Sequence, residues 1–201
     1  MTEPWPEPWA TAATLILSRR HVSPKRLIAP GPDEAQLQAL FALAAAAPDH
    51  GELTPWRFIV VPAGERHRLG EAFGQALLDR DAAATAQEVQ DARDKAERAP
   101  LVMLAVARLG DDPPEIPAAE RLVSLGCAIQ NMLLGAQALG FGAGLTSGRA
   151  MGSPRLAELF ALEAGETPVC CINIGTVAKA SKARRARPAP EAFTRVLGRS
   201  G

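Results

Sequence analysis

The sequence predicts a layered domain of α+β or α/β type, one unit within its 201 residues. Helix-like periodicity covers about twice the residues that strand-like runs do. Short apolar runs at 57–61, 100–107 and 169–175 have the length and bounds of buried strands. Helix and strand patterns alternate too irregularly for a doubly wound parallel sheet.

Residues 1–10 form a Pro-rich, acidic extension, and 11–201 the domain proper. Residues 11–20 read as a helix and 22–32 as an extended linker punctuated by Pro24, Pro30 and Pro32. Asp33 is placed to cap a second helix whose apolar face is Leu37, Leu40, Phe41 and Ala44. Pro48, Gly51 and Pro55 make 47–56 a loop before the first strand. Apolar spacing from Leu69 to Leu77 gives a helix over 64–80. A further helix, 85–98, is dense in charge and reads as largely solvent-facing. After the second strand comes the longest helical pattern, 118–139, apolar nearly all round and therefore suited to a central position or a subunit interface. The Gly-rich stretch 140–148 is a third strand or strand-like turn. Ser153 caps a helix through 162 with Pro154 in its first turn, and 169–175 is the last central strand.

Composition narrows the function. Hydrophobic residues at 47% and charged residues at 22% are those of an ordinary globular protein. The zero formal charge is unevenly spread: 179–201 holds seven Lys or Arg against Glu191, so the tail is about +6 and the body about −6. With no Tyr and 4% aromatics, nucleic acid is not the expected partner. The acidic, Pro-rich start gives no expectation of a secretory signal, and the apolar stretches are interrupted short of membrane length. Cys127, Cys170 and Cys171, odd in number and partly adjacent, read as reduced thiols of a cytoplasmic protein, without zinc spacing among them and the histidines.

Two basic runs stand out, Arg19-Arg20-His21-Val22-Ser23-Pro24-Lys25-Arg26 and, in the tail, Lys179, Lys182, Arg184, Arg185 and Arg187. Guanidinium groups and hydroxyls bind phosphate well, so the runs suit a phosphorylated ligand if they meet in space. Gly140, Gly142 and Gly144 lack the spacing and the strand–turn–helix setting of a dinucleotide fingerprint. They permit close backbone approach, with Thr146 and Ser147 as donors. His50 beside Asp49 has no nucleophile motif to serve, and the adjacent thiols fall in an apolar strand. The pattern suits a phosphorylated planar cofactor that carries the chemistry itself.

Arg19–Arg26, the loop Ala47-Pro-Asp-His-Gly-x-Leu-x-Pro-Trp-Arg-Phe58, Gly140-Phe-Gly and Asn173-Ile-Gly-Thr176 together resemble the nitroreductase family of FMN flavoproteins, over residues 12–197. The resemblance implies a homodimeric three-layer αβα sandwich around a mixed, mostly antiparallel sheet, with FMN at the interface and both subunits contributing. It implies NAD(P)H-dependent, ping-pong reduction of nitroaromatics, quinones or similar small acceptors; the alternative is a flavin-binding protein without significant turnover. On its motifs, Arg19, Arg20, His21, Ser23, His50, Leu145, Thr146 and Ser147 are the expected FMN contacts, with Lys179 and Lys182 from the tail. Gly135 and Gly140 are expected near the nicotinamide nucleotide. The sequence departs from the family pattern at His21, usually Ser, and at Ala46 and Glu52, often basic.

Overall fold

The computed structural model describes residues 6–110, 113–178 and 187–198. Helix α1 spans Glu7–Ser18. It starts inside the segment read as an extension because Pro8 falls in its first turn, where a missing N–H costs nothing. The chain then passes through a tight turn, Pro24–Arg26, into β1, Leu27–Ile28. Residues 22–32 are therefore more than a linker, since they supply an edge strand. Helix α2, Glu34–Ala45, opens with the capping box the sequence promised: Asp33 accepts from Gln36 N at 2.8 Å and Gln36 answers to Asp33 N at 3.0 Å. Strand β2 is Trp56–Val61 and α3 is Arg66–Arg80.

The charged stretch 85–98 splits into α4, Ala86–Arg93, and a 3₁₀ turn, Asp94–Glu97. It is also less solvent-facing than its composition suggested, because Val89, Ala92 and Ala96 are buried against the body. Strand β3, Leu101–Arg108, precedes the long helix α5, Ala118–Ala138. Then follow β4 (Gly142–Thr146), α6 (Pro154–Leu159, with Ser153 capping Arg155 N at 3.3 Å) and β5, Glu166–Val177.

All named strand pairs are antiparallel, in the order β1-β5-β3-β2 with β4 also pairing β5. Among the described residues, the parallel element is a lone bridge between His21 and Ala143. The central strands bury both faces, as their unbroken apolar runs require. Leu101, Met103, Ala105 and Ala107 of β3 pack with Cys170, Ile172 and Ile174 of β5 under α2 and α5. Val102, Leu104, Val106 and Cys171 meet Leu69, Ala96 and Ala99 on the opposite face, where α3 carries α4 and α6. The result is a three-layer sandwich.

Helix α5 is buried along one face only, through Leu125, Ala128, Ile129, Met132, Leu133 and Ala136. In the single chain Leu122, Val123 and Leu139 stay exposed, and α1, lying against α5, buries none of its residues. No helix among the described residues is long and apolar enough to cross a membrane.

Candidate functional site

The first basic run is fixed to the outer edge of β4. Gln137 Nε2 of α5 donates to Leu15 O at 3.1 Å and Ser18 Oγ at 2.7 Å, holding the end of α1. Four residues on, Val22 N donates to Ala143 O at 2.9 Å. This contact explains two of the glycines. A Cβ on Gly144 would strike the Val22 carbonyl oxygen, and one on Gly142 would meet Val177 and Leu27 side chains at 2.5 and 3.0 Å. The close approach that these glycines permit is thus made by the chain itself.

Along this edge the run divides between two cavities. The smaller, about 220 Å³, lies on the α5 side and is lined by Arg19, Arg20, Arg26, Gln137 and Phe141 among others. The larger, about 700 Å³, opens on the α3–α4 side, where Ser23 and Lys25 meet Thr146, Ser147 and Arg149, with Arg80, Lys95 and Asn173. Ser147 Oγ donates to Val169 O at 3.1 Å, and Asn173 Nδ2 donates to Thr146 Oγ1 at 3.0 Å, which fixes both hydroxyls.

Among the described residues of 6–178, cations elsewhere have partners. Arg57 forks onto Glu166, Arg155 onto Asp79, Arg93 meets Glu71, and Arg66 and Arg121 donate to backbone carbonyls. Arg19, Arg20, Lys25, Arg80, Lys95 and Arg149 have no ion pair or hydrogen bond from their side chains, and every one of them lines one of the two cavities.

Lys95 and Arg149 escaped the sequence reading. Lys95 sits in a charged stretch whose composition resembles any solvated helix, and only the packing turns it toward the cavity. Its turn is fastened by buried Arg66, which donates to Val61 O at 2.8 Å and to Ala96, Ala99 and Pro100 carbonyls at 2.9 Å each. Burial pulls the Arg66 pKa below the ordinary value for arginine. A signal was available: Arg66 stands three residues before Leu69, on the apolar face of its helix.

His50 stands elsewhere. Its Nδ1 lies 2.7 Å from Glu120 Oε2 at the start of α5, so its partner is Glu120 and not the adjacent Asp49, which accepts from Thr54 N. The loop is tense, with Gly51, Glu52 and Thr54 all at positive φ, a costly state for Thr and Glu. Leu133 and Gln137, which line the arginine cavity, lie near the other end of α5, so His50 is roughly 20–25 Å away along that axis at 1.5 Å per residue.

The remaining expected residues have these surroundings. His21 is exposed on the β4 edge beside Gly144 and lines neither cavity. Leu145 is half-buried in the α5-side core. Gly135 is packed beneath Leu40 and Leu43 where α2 crosses α5. Gly140, at φ +86°, ends α5 with Gly140 N on Gln137 O and Phe141 N on Ala136 O, a Schellman closure. Both glycines thus have structural reasons of their own. Lys179 and Lys182 lie outside the described residues; Ala178, just before them, donates from its N to Arg26 O at 3.0 Å. Adjacent Cys170 and Cys171 point to opposite faces of β5, and burial pushes their thiols up to about 11 and about 12, away from nucleophile chemistry.

Comparison with known proteins gives a consistent picture. The model of the nitroreductase family matches residues 16–176. A Haemophilus influenzae protein named "Putative NAD(P)H nitroreductase" is 33% identical over 165 residues, 82% of this chain and 88% of that one. The similarly named YdjA of Escherichia coli K12 is 32% identical over 165 residues, 82% of this chain and 87% of its own. Among solved structures, a nitroreductase-like family protein from Bacillus cereus superposes with a TM-score of 0.79 at 22% identity, covering 98% of this chain and 100% of that one. An FMN-dependent nitroreductase from Clostridium difficile gives 0.64 at 16% identity, covering 92% and 98%.

Proposed function

Because this chain belongs to the nitroreductase family, we propose that it is an oxidoreductase that holds FMN and passes electrons from NADH or NADPH to nitroaromatic, quinone or similar small acceptors. The observation that carries this reading is the gathering of unpaired cations at two cavities on one sheet edge. FMN fits such an edge, being planar, with a phosphate at one end and a ring edge, N1–C2=O, that is negative when the flavin is reduced. Arg19 and Arg20 would take the phosphate by forked contacts. Lys25 and Lys95, in the larger cavity, would face the ring edge, with Thr146, Ser147 and the backbone of β4 beside it. Once bound, the flavin supplies hydride acceptance at N5 and two-electron delivery, in alternate halves of a ping-pong cycle. The protein's own work is to hold position and preset charge, which stabilises charge developing in the reaction without reorganisation.

The reading includes a homodimer. Leu122, Val123, Ile16 and Leu17 are exposed, as are Phe193, Val196 and Leu197 of the tail. An isologous pairing that runs two α5 helices antiparallel would cover the α5 and α1 side chains. It would also bring the His50 end of one copy to the arginine-cavity end of the other, gathering in two chains what one chain keeps apart.

The test is FMN titration followed by complementation. Arg19→Ala should weaken FMN binding by about 1.5–3 kcal/mol, roughly 10- to 150-fold. NAD(P)H should bleach the flavin of the wild type, which separates an enzyme from a flavin store. Subunits carrying Arg19→Ala mixed with subunits carrying His50→Ala should regain one sound site per mixed dimer. A mixture that never exceeds the average of its parents would place the whole site within one chain.

A further inference from the structure

Resting on the flavin reading above, we propose that the acceptor is an aromatic acid, a nitroarene or quinone carrying a carboxylate or comparable anionic group, held at the mouth of the larger cavity by Arg80 and Arg149. The cavity lining has five cations, Lys25, Arg80, Lys95, Arg98 and Arg149, against the carboxylates of Glu88 and Asp91. Both carboxylates are held by neutral donors, which orders them without cancelling their charge: Glu88 takes the N and Oγ1 of Thr85 at 2.9 and 2.8 Å, and Asp91 takes Gln87 Nε2 at 2.9 Å. Arg98 is spent on Asp91 O at 3.3 Å. The flavin has two anionic features, and Arg19 with Arg20 and Lys25 with Lys95 answer them. Among the described residues, the side chains of Arg80, the last residue of α3, and Arg149, in the turn after β4, make no ion pair or hydrogen bond, and the lining keeps a cationic excess of five against two.

The same lining carries apolar side chains, Phe73, Leu77 and Met151. Apolar side chains and cations in one lining select an amphiphile: a flat ring that leaves water and an anion that stays at the edge. The carboxylate is a handle and does not react. For a nitroarene the balance is ArNO₂ + NAD(P)H + H⁺ → ArNO + NAD(P)⁺ + H₂O, with the acid group unchanged and the nitro nitrogen reduced by two electrons.

The test uses FMN-loaded protein with 4-nitrobenzoate, its neutral counterpart 4-nitrobenzyl alcohol, and benzoate as an unreactive probe followed through the flavin absorbance. The ratio of kcat/KM for nitrobenzoate over the alcohol should favour the acid at low salt and fall as ionic strength shortens the screening length to about 8 Å. Arg80→Gln and Arg149→Gln should each lower that ratio, and raise the Kd of benzoate, about two- to fivefold, as expected for exposed ion pairs. The double variant should show the product of the two. Both side chains are exposed and unpaired, so the fold has no stake in them. An unchanged ratio and benzoate Kd in the double variant would overturn the proposal. So would a double variant slowed only in flavin reduction by NAD(P)H, since the arginines would then serve the donor. Wild-type protein that takes up no FMN would sink the flavin reading and this proposal together, a result visible in the spectrum before any acceptor is added.

Discussion

Replacing Gly144 with Ala puts a methyl group where no soft atom can yield. The added Cβ meets the backbone carbonyl of Val22, and 3.1 Å away is Cε1 of His21. Gly144 is itself mid-strand in β4, paired with Asn173 of β5, so the clash is backbone against backbone. The 18–26 segment must therefore lift from the sheet. Overpacking of this kind costs about 1–3 kcal/mol, and losing the Val22 N–H bond to Ala143 O adds about 0.5–1.5 kcal/mol. A total of about 2–4 kcal/mol lowers Tm by about 5–15 °C in a chain of this size. The segment displaced carries Arg19, Arg20, Ser23 and Lys25, so on the flavin reading FMN affinity should fall by roughly tenfold or more, the scale of one lost charged contact, while the rest of the sheet survives. Differential scanning calorimetry and flavin titration measure the two effects. Gly64→Ala is the control, because nothing lies within 4 Å of its added Cβ; it should leave both quantities almost unmoved. A Gly144→Ala protein with wild-type Tm and FMN affinity would refute the idea that this glycine seats the basic run.

Other predictions probe the frame. Glu166 is held below the usual carboxylate range chiefly by its hydrogen bond from Arg57, so its stabilising effect is full above the unfolded pKa of about 4.3 and is lost as pH falls through the lower folded value. Glu166→Gln should accordingly be less stable than wild type at pH 7 and lose less on acidification in urea titrations; parallel acid limbs would remove Glu166 from the account. Cys170 and Cys171 should ignore a thiol reagent at pH 8 in the native protein and both react in denaturant, as a colorimetric count would show. Gly126 of α5 has nothing within 4 Å of an added Cβ in the single chain. Gly126→Ala should therefore stabilise an isolated chain by about 0.5–1 kcal/mol, but destabilise one whose α5 faces a second copy, with sedimentation at matched concentrations showing which state melts.

Local elements and the order of the motifs are legible in the chain alone. Asp33 and Ser153 announced their helices because capping is a contact between residues two or three apart. The runs 100–107 and 169–175 announced central strands because burial on both faces leaves no polar alternation. Arg19, Arg20, Ser23, Thr146 and Ser147 were legible as donors by residue type, and the structure brings them to one edge. How that edge is divided depends on packing. A side chain's direction at the end of a helix or in a turn depends on what packs beneath it, so nothing local sends Arg20 to the α5 side and Lys25 to the α3 side. Packing also puts Lys95 at a cavity, its turn being held by three bonds from Arg66, some thirty residues away, to the carbonyls of Ala96, Ala99 and Pro100. The same holds for His50, whose partner Glu120 is 70 positions distant while Asp49 stands next to it. Capping and strand burial are settled by neighbours in the chain, whereas the pairing of charges is settled by neighbours in space, and here those are different residues.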